Sequence, residues 1–467
     1  MNNKGALKGI IIIFVALAVL VALSLVPWNS LTDNVLKEFN LISDLLPQQE
    51  QFITHEELDP GLEALDSIIA EKDTIVEQHT VGNMVQASGV AVNIPDVDGV
   101  APTNDEGVVL IEDYSEGGAN MARMRNGLAG TSNRPFRIAI IGDSYIEGDI
   151  FSQDVRALLQ DTYGGCGVGY MAAFSQFPGF RQSVRQSGDG WREVEIRHMR
   201  TNDYRILSGH YYVGSSGASA LYNGSSRPEH VSTWETSSML FIAPQSGTIN
   251  ISASDGYTEQ HSVTASSAVQ AITVPRATSS FGFNSDIDSL IVLGTWLQSY
   301  TGVQLDCMSL RGNSGISHRI LNADVISQMR QYIDYDLIIL EFGINALTSE
   351  QSDYSSYAYV MTKVVGTIRA CYPNSVIMIM GIGDRGQKQG TEVGSMCTAP
   401  AMVKAQRELA RSTGALFWDT RAAMGGKDAV VDWHNRGLVN ADYIHLNHKG
   451  GRELAKLFVN AINASIK

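Results

Sequence analysis

The sequence predicts an α/β protein with a doubly wound, five-stranded parallel sheet, an antiparallel β-sandwich inserted into it and a transmembrane helix ahead of both. Three observations carry this prediction. From Arg137 onward, short apolar runs of β character alternate with amphipathic helical stretches. The alternation is broken once, by a long segment rich in Ser, Gly, Thr and Tyr. Near the N-terminus lies a single apolar run of bilayer length.

That run, Gly9 to Val26, holds 18 residues without a charge, and only Ser24 is polar. At about 1.5 Å per residue a helix of this length matches the hydrocarbon core of a bilayer. Lys4 and Lys8 precede it and Trp28 follows. The positive-inside rule therefore places residues 1–8 in the cytoplasm, residues 9–27 in the cytoplasmic membrane as a single-pass signal anchor, and the remainder outside. A cleaved signal peptide is the alternative, although no A-x-A site follows the run. Residues 28–107 are acidic and aperiodic, with Gln48-Gln49-Glu50-Gln51 and scattered Pro and Gly, and read as a tether that supplies reach. A small packed N-terminal domain is the competing reading.

The α/β domain is expected over residues 108–173 and 278–467. Its strands are Arg137–Ile141, Val303–Leu310, Leu337–Phe342, Ser375–Gly381 and Ala415–Asp419. Helices are predicted over Ile150–Tyr163, Ile316–Ile333, Tyr357–Cys371, Ala399–Thr413 and Gly450–Ile466, the first closed by Gly164-Gly165. Ligands of such sheets bind at the carboxyl ends of the strands. The insert, 174–277, has short alternating runs at Ser238–Ala243, Gly247–Ala253 and Ser262–Val274. Trp191, Tyr204, Tyr211, Tyr212, Tyr222 and Trp234 either form its core or present a sugar-binding face.

Composition narrows the function. With 49 acidic against 34 basic residues the formal charge is −15, which argues against a nucleic-acid partner. Four cysteines without C-x-x-C or His-interleaved spacing suggest neither a disulfide scaffold nor a zinc site. The chemistry lies in four blocks at strand ends. Gly142-Asp143-Ser144 follows the first strand, which exposes a hydroxyl beside backbone N–H groups. Asp442-Tyr443-Ile444-His445 precedes the last helix, and an Asp three residues before a His can orient the ring and stabilise its charged form. Gly312-Asn313-Ser314-Gly315 and Gly343-Ile344-Asn345 end two further strands, and supply backbone and amide donors for an oxyanion. Each block alone also reads as turn or cap chemistry; the four together, in order along one sheet edge, do not.

At these residues the chain resembles the SGNH, or GDSL-type, hydrolase superfamily. The resemblance implies Ser144 as nucleophile, His445 as general base, Asp442 as its orienter, and Ser144, Gly315 and Asn345 as oxyanion donors, with Gly312 the alternative to Gly315. Ala346 stands where the family often has Asp. Ile111-Glu112-Asp113-Tyr114, Gly148-Asp149-Ile150-Phe151, Phe417-Trp418-Asp419 and the β-rich insert are similar to bacterial peptidoglycan O-acetylesterases, although Tyr145 occupies a position where many of those have His. Such a resemblance implies a serine esterase removing O-acetyl groups from a glycan, with peptidoglycan foremost, and the anchor places it in the bacterial inner membrane with its catalytic domain periplasmic or otherwise extracytoplasmic. It needs no metal or organic cofactor. Two rivals remain: an O-acetyltransferase with the same triad, working beside a membrane acyl exporter, and a non-catalytic glycan-binding protein with a vestigial site.

Overall fold

The computed structural model describes residues 100–200, 203–390 and 392–467. The predicted membrane anchor at 9–27 and nearly all of the tether lie outside the described residues. Among those described, no helix is long and apolar enough to cross a membrane. Residues 100–107, assigned to the tether, instead turn back on the first residues of the domain, although most of them stay exposed. Ala101 is buried, Thr103 bridges Val109, and the Leu110 N–H donates to the Pro102 carbonyl at 2.8 Å.

Along the chain the α/β domain begins with β1 (Glu112–Asp113), α1 (Ala119–Ala129), β2 (Phe136–Gly142) and α2 (Ser152–Tyr163). The insert follows as β3 (Gly169–Met171), β4 (Val184–Glu195), β5 (His210–Gly224), β6 (Thr236–Ala243), β7 (Gly247–Ala253), β8 (Thr258–Val263), β9 (Ser266–Val274), β10 (Ser280–Ser285) and β11 (Leu290–Gln298). The domain resumes with β12 (Val303–Ser309), α3 (Ala323–Met329), β13 (Leu337–Glu341), α4 (Ser355–Cys371) and β14 (Val376–Met380). A hairpin of β15 (Gly386–Gln389) and β16 (Glu392–Ser395) precedes α5 (Ala399–Thr413), β17 (Leu416–Trp418), α6 (Thr420–Met424), α7 (Ala429–Asn435) and α8 (His448–Ser465).

The main sheet runs β1-β17-β14-β13-β2-β12. Its five parallel strands are the five predicted, and they alternate side chains into two separate cores. Ala139, Ile141, Ile338 and Leu340 face one layer, whereas Ile138, Ile140, Leu337 and Ile339 face the other. The sixth strand, β1, adds an antiparallel edge through Glu112↔Phe417, so the sheet is mixed. Strand order reverses about β2, between β12 and β13, which makes the carboxyl ends of β2 and β13 the topological switch point. The predicted helix Ile316–Ile333 is broken. A single 3₁₀ turn over Ile316–Arg319 ends at an extended Ile320, and Asn322 then caps α3 by accepting from the Val325 N–H at 3.1 Å.

The insert differs from expectation in two ways. Its strands form one continuous nine-stranded antiparallel network rather than two separate sheets. The 15-residue β5 joins the halves, pairing with β10 through Ser219–Asn223 and with β11 through Tyr212–Gly214, and the register slips opposite its middle, between Asp189 and Trp191. Both halves share one core, including Phe241, Ile272, Phe281 and Ile251. The bounds 174–277 also cut through this sheet, which needs β3, β10 and β11 and so spans residues 169–298. Tyr211, Tyr212, Tyr222 and Trp234 are buried and form core, while Trp191 and Tyr204 are half-buried, so these six do not make an exposed sugar face. All four cysteines are free thiols.

Candidate active site

The site grows from the end of β2. Gly142 lies opposite Glu341 in the parallel register, where a Cβ would sit 2.6 Å from the Glu341 carbonyl oxygen, so only glycine lets these two strand ends close together. The chain then turns. Asp143, fully buried, accepts from the Tyr145 N–H at 2.9 Å, and Ser144 is left half-exposed at the sheet edge with no partner for its own N–H among the described residues. Tyr145, at the position where His is common, is buried and points its hydroxyl at the Met424 sulfur 3.6 Å away. It packs beneath the nucleophile turn rather than facing a substrate.

Ser144 and His445 are 301 residues apart in sequence, yet Ser144 Oγ lies 2.9 Å from His445 Nε2. His445 Nδ1 is 2.6 Å from Asp442 Oδ2, while Asp442 Oδ1 accepts from the Ile444 and His445 N–H groups at 2.8 and 3.0 Å. A carboxylate on Nδ1 fixes the tautomer that leaves Nε2 bare toward the serine. Burial acts to raise the Asp442 carboxyl, but the hydrogen bond and charge of His445 and the two N–H groups outweigh it and hold it below the usual range. Tyr443 makes this geometry possible by taking φ 57 between the two catalytic candidates. Its ring packs on His434 at a tilt of 35° with centroids 4.1 Å apart, and its carbonyl accepts from the Gly386 N–H at 2.8 Å.

The predicted oxyanion donors converge from the neighbouring strand ends. Asn345 Nδ2 donates to Asp143 Oδ2 at 3.0 Å and to the Asn313 carbonyl at 3.2 Å, and the Gly315 N–H donates to Asn313 Oδ1 at 2.9 Å. Gly315 takes φ 88 and is buried against Phe342, whereas Gly312 stands near the surface with its carbonyl accepting from Arg197. Gly315 thus lies in the buried loop beside Asn313, and Gly312 at its outer edge. Ala346 is buried, so nothing polar occupies the place of the common Asp. Sequence reasoning missed two members of this cluster. Asn313 is fully buried and ties both donor loops together, with its own amide nitrogen unpartnered. Glu341 is buried beside Asp143 with one carboxyl oxygen unpartnered, and burial followed by the Asp143 charge pushes its carboxyl well above the usual range. The signal for Glu341 was an acid in an otherwise apolar strand, and for Asn313 its place between two glycines.

Residues 286–452 match the GDSL-like Lipase/Acylhydrolase family. The match contains Gly315, Asn345, Asp442 and His445, while Ser144 lies ahead of it, beyond the insert. A solved peptidoglycan O-acetylesterase is similar in fold, with TM-score 0.63 and 24% identity over 76% of this chain and 98% of that chain. An acetylxylan esterase from Geobacillus stearothermophilus (20% identity, 35% and 73% of the two chains, TM-score 0.26) and a family two carbohydrate esterase from Cellvibrio japonicus (12%, 60% and 98%, 0.25) are more distant. No curated protein sequence matches the chain. A serine held by an oriented histidine at the switch point of the parallel strands, in a chain whose residues 286–452 match the GDSL-like Lipase/Acylhydrolase family, marks this as a serine esterase with a site of SGNH, or GDSL-like, type.

Proposed function

We propose that this esterase removes O-acetyl groups from an extracytoplasmic glycan, peptidoglycan foremost, and that residues 9–27 tether it to the bacterial inner membrane. The observation that carries the proposal is the unbroken chain Ser144–His445–Asp442, with contacts of 2.9 and 2.6 Å, on a fold similar to a peptidoglycan O-acetylesterase. In the reaction Ser144 Oγ attacks the acetyl carbonyl while His445 Nε2 takes its proton. The tetrahedral oxyanion draws on the Ser144 N–H, the Gly315 N–H and the Asn345 amide. The last two turn from Asn313 and Asp143 toward it or share their hydrogens with it, as apo sites commonly require. His445 then protonates the departing sugar oxygen, and on the return step it activates the water that releases acetate.

The test is acetate release from O-acetylated peptidoglycan by the full-length protein and by Ser144→Ala, with and without an unacetylated muro-oligosaccharide acceptor. Free acetate as the main product in both conditions supports the esterase. Acetylated oligosaccharide as the main product, with free acetate falling, replaces it with the transferase, because a sugar hydroxyl then outcompetes water at the acetyl-enzyme. No release from glycan, or undiminished release by Ser144→Ala, overturns the proposal.

A further inference from the structure

A surface groove of about 440 Å³ opens within the insert, between the β3–β4 connection with the start of β4 and the β5–β6 connection; Pro178, Gly179, Arg181, Arg185, Gln186 and Arg227 are in its lining. Its lining contains no carboxylate, in a chain with a formal charge of −15. Arg181 is already spent: it holds Asp149 at 3.1 Å and the carbonyls of Val168 and Tyr170. Arg185 and Arg227 are exposed and make no ion pair among the described residues. Two exposed guanidinium groups on one groove, without a carboxylate in its lining, offer charge and hydrogen-bond donors to an anion.

The same loop reaches the candidate active site. Phe177 and Phe180, 62% and 41% exposed, flank Pro178 and Gly179 of the groove wall. The Arg311 guanidinium lies over the Phe177 ring, 5.9 Å from its centroid, and also bonds Glu147 at 2.5 Å, three residues after Ser144. Phe180 packs where Gly148 has no side chain and lies 6.2 Å from the His448 ring. A path of exposed aromatics thus joins the groove to the rim of the Ser144 turn. Flat apolar rings beside cationic donors suit a sugar chain that carries acidic groups.

We propose that the Arg185–Arg227 groove is a subsite for carboxylate-bearing glycan, with Phe177 and Phe180 stacking the sugars that lead from it to Ser144. This deepens the esterase reading above and rests on it for the direction of the strand. The partner is a polyanionic saccharide, in which the carboxylate is the recognised group and the acetyl ester lies some residues away.

Binding is read without turnover, by calorimetry on the full-length Ser144→Ala protein. The probes are peptide-free muro-oligosaccharide, which carries a lactyl carboxylate on alternate sugars, and chitotetraose, which has the same backbone without it. Tighter binding of the acidic chain by about tenfold is expected, with that preference lost in Arg185→Gln/Arg227→Gln and weakened by salt. Equal affinity for the two sugars, no detectable binding of either, or full preference retained in the double variant overturns the proposal. So does arginine-dependent binding to vesicles of anionic phospholipid without binding of the acidic sugar. Both side chains are exposed, so an unchanged melting temperature is expected to confirm that the variant folds. The two readings fail separately: acetate release from glycan without this affinity leaves the esterase and removes the groove, and the affinity without acetate release does the reverse.

Discussion

Ser144 has little packing role and is half-exposed, so Ser144→Ala is expected to abolish acetate release from an aryl acetate while leaving the melting temperature unchanged. Covalent labelling by a fluorophosphonate at another serine would defeat the assignment. Asp442→Asn should cost about 10³–10⁴ in turnover, because the amide favours the wrong His445 tautomer. Asn345→Ala should cost about 10²–10³ if its amide serves the oxyanion, and a loss below about threefold would leave it as the tie between Asp143 and Asn313 alone. Glu341 gives a stability prediction instead. Its carboxyl is raised in the folded protein, first by burial and then by the Asp143 charge, so between the usual carboxyl value and the raised one the folded chain keeps a proton that the unfolded chain has lost. Stability therefore falls as pH rises through that window. Urea midpoints of the parent should drop more steeply from about pH 5 to 8 than those of Glu341→Gln, and parallel slopes would show that Glu341 ionises freely.

Asp149 links two elements and is the buried charge most exposed to a simple substitution test. It takes φ 64 just before α2, holds Arg156 at 2.8 and 2.9 Å with both side chains fully inaccessible, and also accepts from Ser152 and Ser183. Burial would raise its carboxyl, but the Arg156 and Arg181 charges outweigh it and hold it well below the usual range. Asp149→Asn is expected to lose about 3–5 kcal/mol of unfolding free energy, since Arg156 stays buried without its counter-charge. A loss under about 1 kcal/mol in urea denaturation would mean that water reaches the site. The element scale also shows what the sequence made legible. The five parallel strands were readable because they are mostly apolar, with Gln304 and Asp306 of β12 among the exceptions, and three of the four catalytic blocks because each sits where such a strand stops; the fourth, Asp442–His445, follows β17 only after α6 and α7. Strand β1 was not readable, being two acidic residues that pair only through tertiary contact. The insert bounds were misplaced for a related reason: β11 is buried along its whole length and so looks like any interior strand, and β3 is three residues long. Its place is fixed from the other domain, where Asp306 accepts from the Tyr170 N–H and Trp296 Nε1, both at 2.8 Å. Excising 174–277 is accordingly expected to yield insoluble protein, because it strips β10 of β5 and β7 and β11 of β5 and β6.

For the molecule as a whole, the hydropathy of residues 9–27 predicts that protease added to intact spheroplasts releases a soluble, active fragment by cutting ahead of residue 100. An inaccessible chain would reverse the orientation, and a mature N-terminus near residue 27 to 35 would replace the anchor by a cleaved signal. The 301-residue separation of Ser144 from His445 has a consequence in time. A growing chain carries its nucleophile long before its base, and the whole insert and all four later parallel strands must be made and ordered between them. Until the Asp442–His445 turn is seated, the Ser144 hydroxyl is no more reactive than that of any surface serine. Esterase activity is therefore a report of finished synthesis: nascent or truncated chains are silent toward every acetyl ester they meet, and the enzyme needs no separate inhibitor to stay inactive while it is being made.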